Sequence, residues 1–166
     1  MLRKKLDEIV SSVVLAQRVG TTKKLFQVTN QAILWYSITY MADTKKVMVI
    51  EDDKFLSSLI KTGLERKGFI VLQAFDGEQA TTMLRTEQPD LIILDLIMPK
   101  VNGFEVLQMI SITPQLSKTP VIILSNLAQD SDVEKARALG AKEYFVKVKI
   151  SIDDLLEKIK DLTDIP

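Results

Sequence analysis

The 166-residue chain contains no cysteine and no histidine. Without Cys there are no disulfides, no thiolate nucleophile and no sulfur ligands for zinc. Without His there is no imidazole base and no ring nitrogen to carry phosphate. A charge surplus is also missing, because 22 basic residues balance 22 acidic ones, and nothing overall points to nucleic acid or a membrane surface. The apolar patches of residues 1–44 fall short of the ~20 residues that span a bilayer. Chemistry in this chain must therefore come from carboxylates, Ser/Thr hydroxyls, lysines or a metal ion.

The length suits one domain with a real core, and 46% hydrophobic with 27% charged residues reads as soluble and globular. The charge balance conceals an asymmetry. Six of the 22 bases and two of the 22 acids lie in residues 1–40, which leaves 16 bases and 20 acids for the remainder.

From Lys46 onward short apolar runs alternate with helical spacing. "KVMVI" (46–50), "FIVLQA" (69–74), "LIIL" (91–94), "VIIL" (121–124) and "EYFV" (143–146) suit buried parallel strands. Between and after them, Leu56/Leu59/Ile60/Leu64, Ala80/Met83/Leu84, Val106/Leu107/Ile110, Val133/Ala136/Leu139 and Leu155/Leu156/Ile159/Leu162 mark five helices. Gly68, Asp76–Gly77, "ITP" (112–114) and "LGA" (139–141) punctuate the pattern, and Ser151 with Asp154 resembles a capping box opening the last helix. Parallel neighbours need crossover helices, so the expectation is an α/β fold: a doubly wound, five-stranded parallel sheet with helices on both faces. Function in such sheets gathers beyond the carboxyl ends of the strands.

"DLIILDLIMPKVNG" (90–103) shows what those ends carry. Four apolar residues deliver a carboxylate, Asp95, before Pro99 and Gly103 shape a turn. A carboxylate there costs several kcal/mol unless it meets a cation or leaves the core. The other strands end on Glu51, Asp52 and Asp53, on Ser125 with Asn126, and on Lys147. In the strand order 2-1-3-4-5, Glu51 and Asp52 approach Asp95 while Ser125 and Lys147 come alongside. Two like charges 4 Å apart repel by about 1 kcal/mol in water and about 4 kcal/mol at an effective dielectric of 20. The cluster therefore predicts a cation, and an open all-oxygen set suits Mg²⁺. Such a set can hold a phosphoryl group on Asp95, with Lys147 and Ser125 on its oxygens. Asp53 reads more naturally as the cap of the first helix.

These residues, in this order and spacing, resemble the receiver domain of bacterial two-component response regulators, of flavodoxin-like fold, over residues 45–164. The resemblance implies that Asp95 is the phosphoacceptor. It also implies that Asp52, Asp95 and the backbone carbonyl of Ile97 hold Mg²⁺, with Glu51 acting through water. Ser125 and Lys147 would contact the phosphoryl group. Tyr144 matches a switch aromatic, although a half-buried packing tyrosine reads equally well. The implied partners are a sensor histidine kinase or a histidine phosphotransfer protein, with a downstream protein partner that the sequence does not name. The implied location is cytoplasmic, and the implied chemistry is confined to the chain's own phosphorylation and dephosphorylation. With no second domain after the fifth helix, the expectation is a stand-alone module with no direct nucleic-acid or membrane contact.

Three departures accompany the resemblance. Val148 stands where the family usually has a cis proline, and a cis bond before Val costs ~3 kcal/mol, so a trans bond and a rearranged loop are expected. Asn126 replaces a small residue beside the phosphate site. Ile97 and Leu127 place apolar bulk where the hydrolytic water approaches, which predicts a long-lived phosphoryl group.

Residues 1–44 do not join the rhythm. Leu2, Leu6, Ile9 and Val13 would share one side of an amphipathic docking or dimerisation helix; alternatively, and preferred here, translation starts near Met41. Asp7 and Glu8 in the basic start, and two serines in the apolar stretch, argue against a signal peptide. The rival to phosphorylation-dependent signalling is a receiver-like adaptor that docks partners without phosphorylation. A haloacid-dehalogenase-type phosphatase needs an acid where Ile97 stands. Flavin or nucleotide binding is disfavoured by the acidic loop after the first strand.

Overall fold

The structure, a computed structural model, describes residues 44–163. Both readings of the N-terminal extension fall on residues outside that range. The elements run β1 (Lys46–Ile50), α1 (Lys54–Arg66), β2 (Ile70–Ala74), α2 (Gly77–Met83), β3 (Leu91–Leu94), α3 (Gly103–Ile112), β4 (Val121–Ser125), α4 (Asp130–Ala138), β5 (Glu143–Val146) and α5 (Ile152–Thr163). A single 3-10 turn, Lys147–Lys149, separates the last two. All four strand pairings are parallel, in the order β2-β1-β3-β4-β5.

The strand sequences explain why helices cover both faces. Side chains alternate across a strand, and both sets of β1, β3 and β4 are apolar. Met48, Ile50, Ile92, Leu94, Val121 and Ile123 pack with Ala80, Val106, Leu107, Ile110 and Ala136 on one side. Val47, Val49, Leu91, Ile93, Ile122 and Leu124 pack with Ile60, Leu64, Leu155, Leu156 and Ile159 on the other. Burying each Val, Leu or Ile side chain contributes roughly 1.5–3 kcal/mol, so neither face is dispensable.

Local chemistry sets the helix starts. Asp53 Oδ1 accepts from Phe55 N (2.9 Å) and Leu56 N (3.1 Å), as expected of a cap. Asn102 and Glu105 form a reciprocal capping box on α3. At α5 the Ser151 hydroxyl accepts from Asp154 N (3.1 Å) and donates to Asp154 Oδ2 (2.7 Å). The Asp154 carboxylate thus takes the hydroxyl proton, where a box would take the Ser151 backbone N–H. Asn102→Ala is expected to cost about 1 kcal/mol, read as a lower urea midpoint at unchanged slope.

Two sequence expectations need correction. β2 starts at Ile70, with buried Phe69 outside the ladder. Leu59 does not join the buried stripe of α1 and is 44% exposed. The i, i+4, i+8 series Leu56, Ile60 and Leu64 defines that stripe, and Leu59 lies one residue, about 100° of helix, off the Ile60 direction. The expected trans bond before Val148 is found, since no peptide bond among the described residues is cis.

Candidate functional site

Register brings the acids together. Ile50 pairs with Leu94, so the next residues, Glu51 and Asp95, stand side by side at the carboxyl edge. Both continue the alternation of Val47/Val49 and Leu91/Ile93, so both leave the sheet toward the same face. Lys147, two residues beyond Phe145, continues that same side of β5. The backbone holds the pair in place: Glu51 N donates to Ala74 O (3.0 Å) and Asp95 N to Ile50 O (2.9 Å).

The Lys147 ammonium bridges the two carboxylates, 2.8 Å from Glu51 Oε1 and 2.6 Å from Asp95 Oδ2. Asp95 Oδ1 accepts the Ile97 backbone N–H at 3.1 Å, and Glu51 Oε1 accepts the Asp53 N–H at 3.3 Å. Glu51, Asp95 and Ser125 are buried, whereas Asp52 is exposed. One carboxylate oxygen from each of Glu51, Asp52 and Asp95 lies within 4.8 Å of the others. Ser125 Oγ has the Leu127 N–H at 3.5 Å, and the Tyr144 hydroxyl donates to the Leu127 carbonyl at 2.9 Å. Ile97 is 53% exposed and Val148 84% exposed. Asn126 is exposed beside Ser125.

Electrostatics follow from burial and these partners. Burial pushes the Glu51 pKa up to about 7, against the opposing pull of Lys147. Burial also works against the Lys147 charge, but its hydrogen bonds to Asp95 and Glu51 outweigh that and hold its pKa above the usual lysine value. Burial first, then the charges of Asp132 and Asp95, raise the Tyr144 phenol, so its hydroxyl stays a donor.

Glu51 gives the metal-free protein a pH dependence. The folded chain holds a proton between the ordinary carboxyl value of 4.5 and about 7 that the unfolded chain releases. Stability is therefore full below pH 4.5 and declines as pH rises through 7, by on the order of 3 kcal/mol from this group. Melting in EDTA should show Tm falling from pH 5 to pH 7.5, and Glu51→Gln should flatten that slope.

The donor set fits Mg²⁺. Its ligands are all oxygens, and three carboxylates face one ammonium, so a divalent cation would relieve charge that Lys147 leaves unbalanced. The structure brings together Glu51, Asp52, Asp95 and Lys147 directly, and keeps Ser125 and Tyr144 on the adjacent β4 and β5. Sequence reasoning missed the double role of Lys147 and the backbone donors of Asp53 and Ile97. It also missed why Gly103 is required. A Cβ there would sit 2.1 Å from the Asp95 carbonyl oxygen. The Gly after Asn102 was the available signal, but it reads equally as a turn.

The fold is shared with known proteins. The profile described as the response regulator receiver domain matches residues 47–160. The chain is 36% identical over 103 residues to the alkaline phosphatase synthesis transcriptional regulatory protein PhoP of Bacillus subtilis (strain 168), covering 62% of this chain and 42% of that protein. It is 34% identical over 115 residues to the phosphate regulon transcriptional regulatory protein PhoB of Rhizobium meliloti (strain 1021), covering 69% and 50%. The chain thus spans half or less of the length of these curated relatives. Among solved structures, the Francisella response regulator 1452 receiver domain superposes with a TM-score of 0.66 at 34% identity, covering 73% of this chain and 98% of that one. The chemotaxis response regulator CheY4 of Vibrio cholerae gives 0.67 at 25% identity, covering 72% and 98%.

Proposed function

The chain belongs to the response regulator receiver domain family, and from that premise we propose that it is a phosphorylation-dependent signalling module whose phosphoacceptor is Asp95. Receiver domains are signalling modules of two-component systems rather than conventional enzymes. The observation that carries the proposal is the buried Asp95 carboxylate, 2.6 Å from the Lys147 ammonium, with Glu51 and Asp52 oxygens within 4.8 Å.

The donor is a phosphohistidine protein, a sensor histidine kinase or a histidine phosphotransfer protein, and the reaction takes place in the cytoplasm. The Asp95 carboxylate attacks phosphorus, an O–P bond forms as the P–N bond breaks, and the donor imidazole leaves and takes up a proton. Glu51, Asp52, Asp95 and the Ile97 carbonyl would hold Mg²⁺, which when bound neutralises charge on the phosphoryl oxygens. Lys147 exchanges part of its contact with Asp95 Oδ2 for a phosphoryl oxygen, so the cation is in place before charge is transferred. The Ser125 hydroxyl donates to another. Tyr144, tied to Leu127 two residues past Ser125, reports the Ser125 position to β5. The phosphorylated surface then exchanges protein partners.

The test is incubation with acetyl phosphate and Mg²⁺. Intact mass should rise by one phosphoryl group, and a chain that stays unmodified, and unresponsive to beryllofluoride, would instead be a phosphorylation-independent adaptor. Mass spectrometry of the native N-terminus tests the start near Met41.

The lifetime of the phosphoryl group depends on water access. Ile97 lies two residues past Asp95 and Leu127 two past Ser125, and both are apolar. Replacing both with Gln should shorten the phosphoryl lifetime several-fold, read by timed loss of mass; an unchanged lifetime would remove apolar shielding as the explanation.

A further inference from the structure

Helix α4 is tied down by little. Only Ala136 of its nine residues is buried, and its N-cap, Gln129, makes no side-chain capping bond. Besides the core packing of Ala136, Leu127 and Leu139, two side-chain contacts bear on it and the loop before it. The Tyr144 hydroxyl bonds the Leu127 carbonyl at 2.9 Å, and the Lys135 ammonium lies 4.1 Å from the centre of the Phe104 ring.

Both contacts refer back to the acidic site. Phe104 follows Gly103, whose N–H donates to the Leu96 carbonyl at 3.0 Å and whose Cα lies against the Asp95 backbone. Phe104 is thus fixed relative to the strand that carries Asp95. Leu127 N–H faces Ser125 Oγ at 3.5 Å. If that hydroxyl turns toward a phosphoryl oxygen, Leu127 loses its acceptor, and the loop leading into α4 becomes free to shift. A shift of α4 would have to break the Lys135–Phe104 contact, whose aromatic half cannot follow.

We infer that the Lys135–Phe104 cation–π contact is a latch that holds α4 in its resting position and opposes the phosphorylated state. This rests on the reading of Asp95 as phosphoacceptor. A contact that stabilises only the resting state lowers affinity for any ligand of the other state by the same factor. An exposed cation–π contact converts to about two- to five-fold.

The measurement is the apparent Kd for beryllofluoride at saturating Mg²⁺, with hydrogen exchange of the residue 130–138 amides alongside. Lys135→Met and Phe104→Leu should each bind about two- to five-fold more tightly than the unaltered chain. The double variant should bind no more tightly than either single one, and Lys135→Arg should restore the starting affinity. Unchanged or weaker affinity in both single variants, even with faster exchange in α4, would overturn the latch and leave the Asp95 chemistry intact. No binding by the unaltered chain would overturn the phosphoacceptor reading and the latch with it.

Discussion

Asp95→Asn is expected to bring phosphate incorporation from acetyl phosphate down to background while the chain stays folded. The amide has nearly the volume of the carboxylate, and its oxygen can still accept the Ile97 N–H that Asp95 Oδ1 accepts at 3.1 Å. What it lacks is an anionic oxygen able to attack phosphorus. Lys147 loses the partner at 2.6 Å but keeps Glu51 at 2.8 Å, so its charge is not stranded. The variant also removes one of three clustered acids, which offsets part of the lost ion pair. Far-UV circular dichroism and Tm would verify the fold, and intact mass would give the result. Continued labelling of folded Asp95→Asn would mean that another residue accepts phosphate.

Gly103→Ala should produce a large loss of stability. The new Cβ would lie 2.1 Å from the Asp95 carbonyl oxygen and 2.6 Å from Leu96 Cα. Those are backbone atoms, so no rotamer change relieves them, and α3 must move off β3. That movement also breaks the Gly103 N–H bond to the Leu96 carbonyl. Overpacking of this kind costs roughly 3 kcal/mol or more, which for a domain of this size lowers Tm by about 10 °C. Mg²⁺ affinity should weaken too, because the displaced backbone carries Asp95 and Ile97. Gly63→Ala is the control: its Cβ meets Leu156 Cδ1 at 2.5 Å, the tip of a side chain that can turn away. A Gly103→Ala protein as stable as Gly63→Ala would show that the α3–β3 approach has slack.

Much of this was legible in the residues themselves. Runs such as "LIIL" and "VIIL" are short and apolar on both faces, which suits a covered parallel sheet. The strand order then placed Glu51, Asp52, Asp95, Ser125 and Lys147 at one edge. Distances between elements were not legible, because local periodicity carries no information about which partner a long side chain selects. Lys147 could have paired with Asp95 alone, yet it also takes Glu51, and that choice depends on the turn Lys147–Lys149. Leu59 was misplaced because three apolar residues at helical spacing leave the edge of a stripe ambiguous. Nothing in the sequence places Lys135 over Phe104.

The two-sided core has a consequence for how this architecture tolerates length changes. Odd and even positions of β1 and β3 belong to separate cores, and the carboxyl edge inherits that parity. Inserting one residue within Val47–Ile50 would evert the rest of the strand and turn the Glu51 carboxylate away from Asp95. Two inserted residues would preserve the facing but overshoot the edge. Length changes should thus be tolerated in the connecting loops and not within these strands, because the packing beneath the rim sets its geometry.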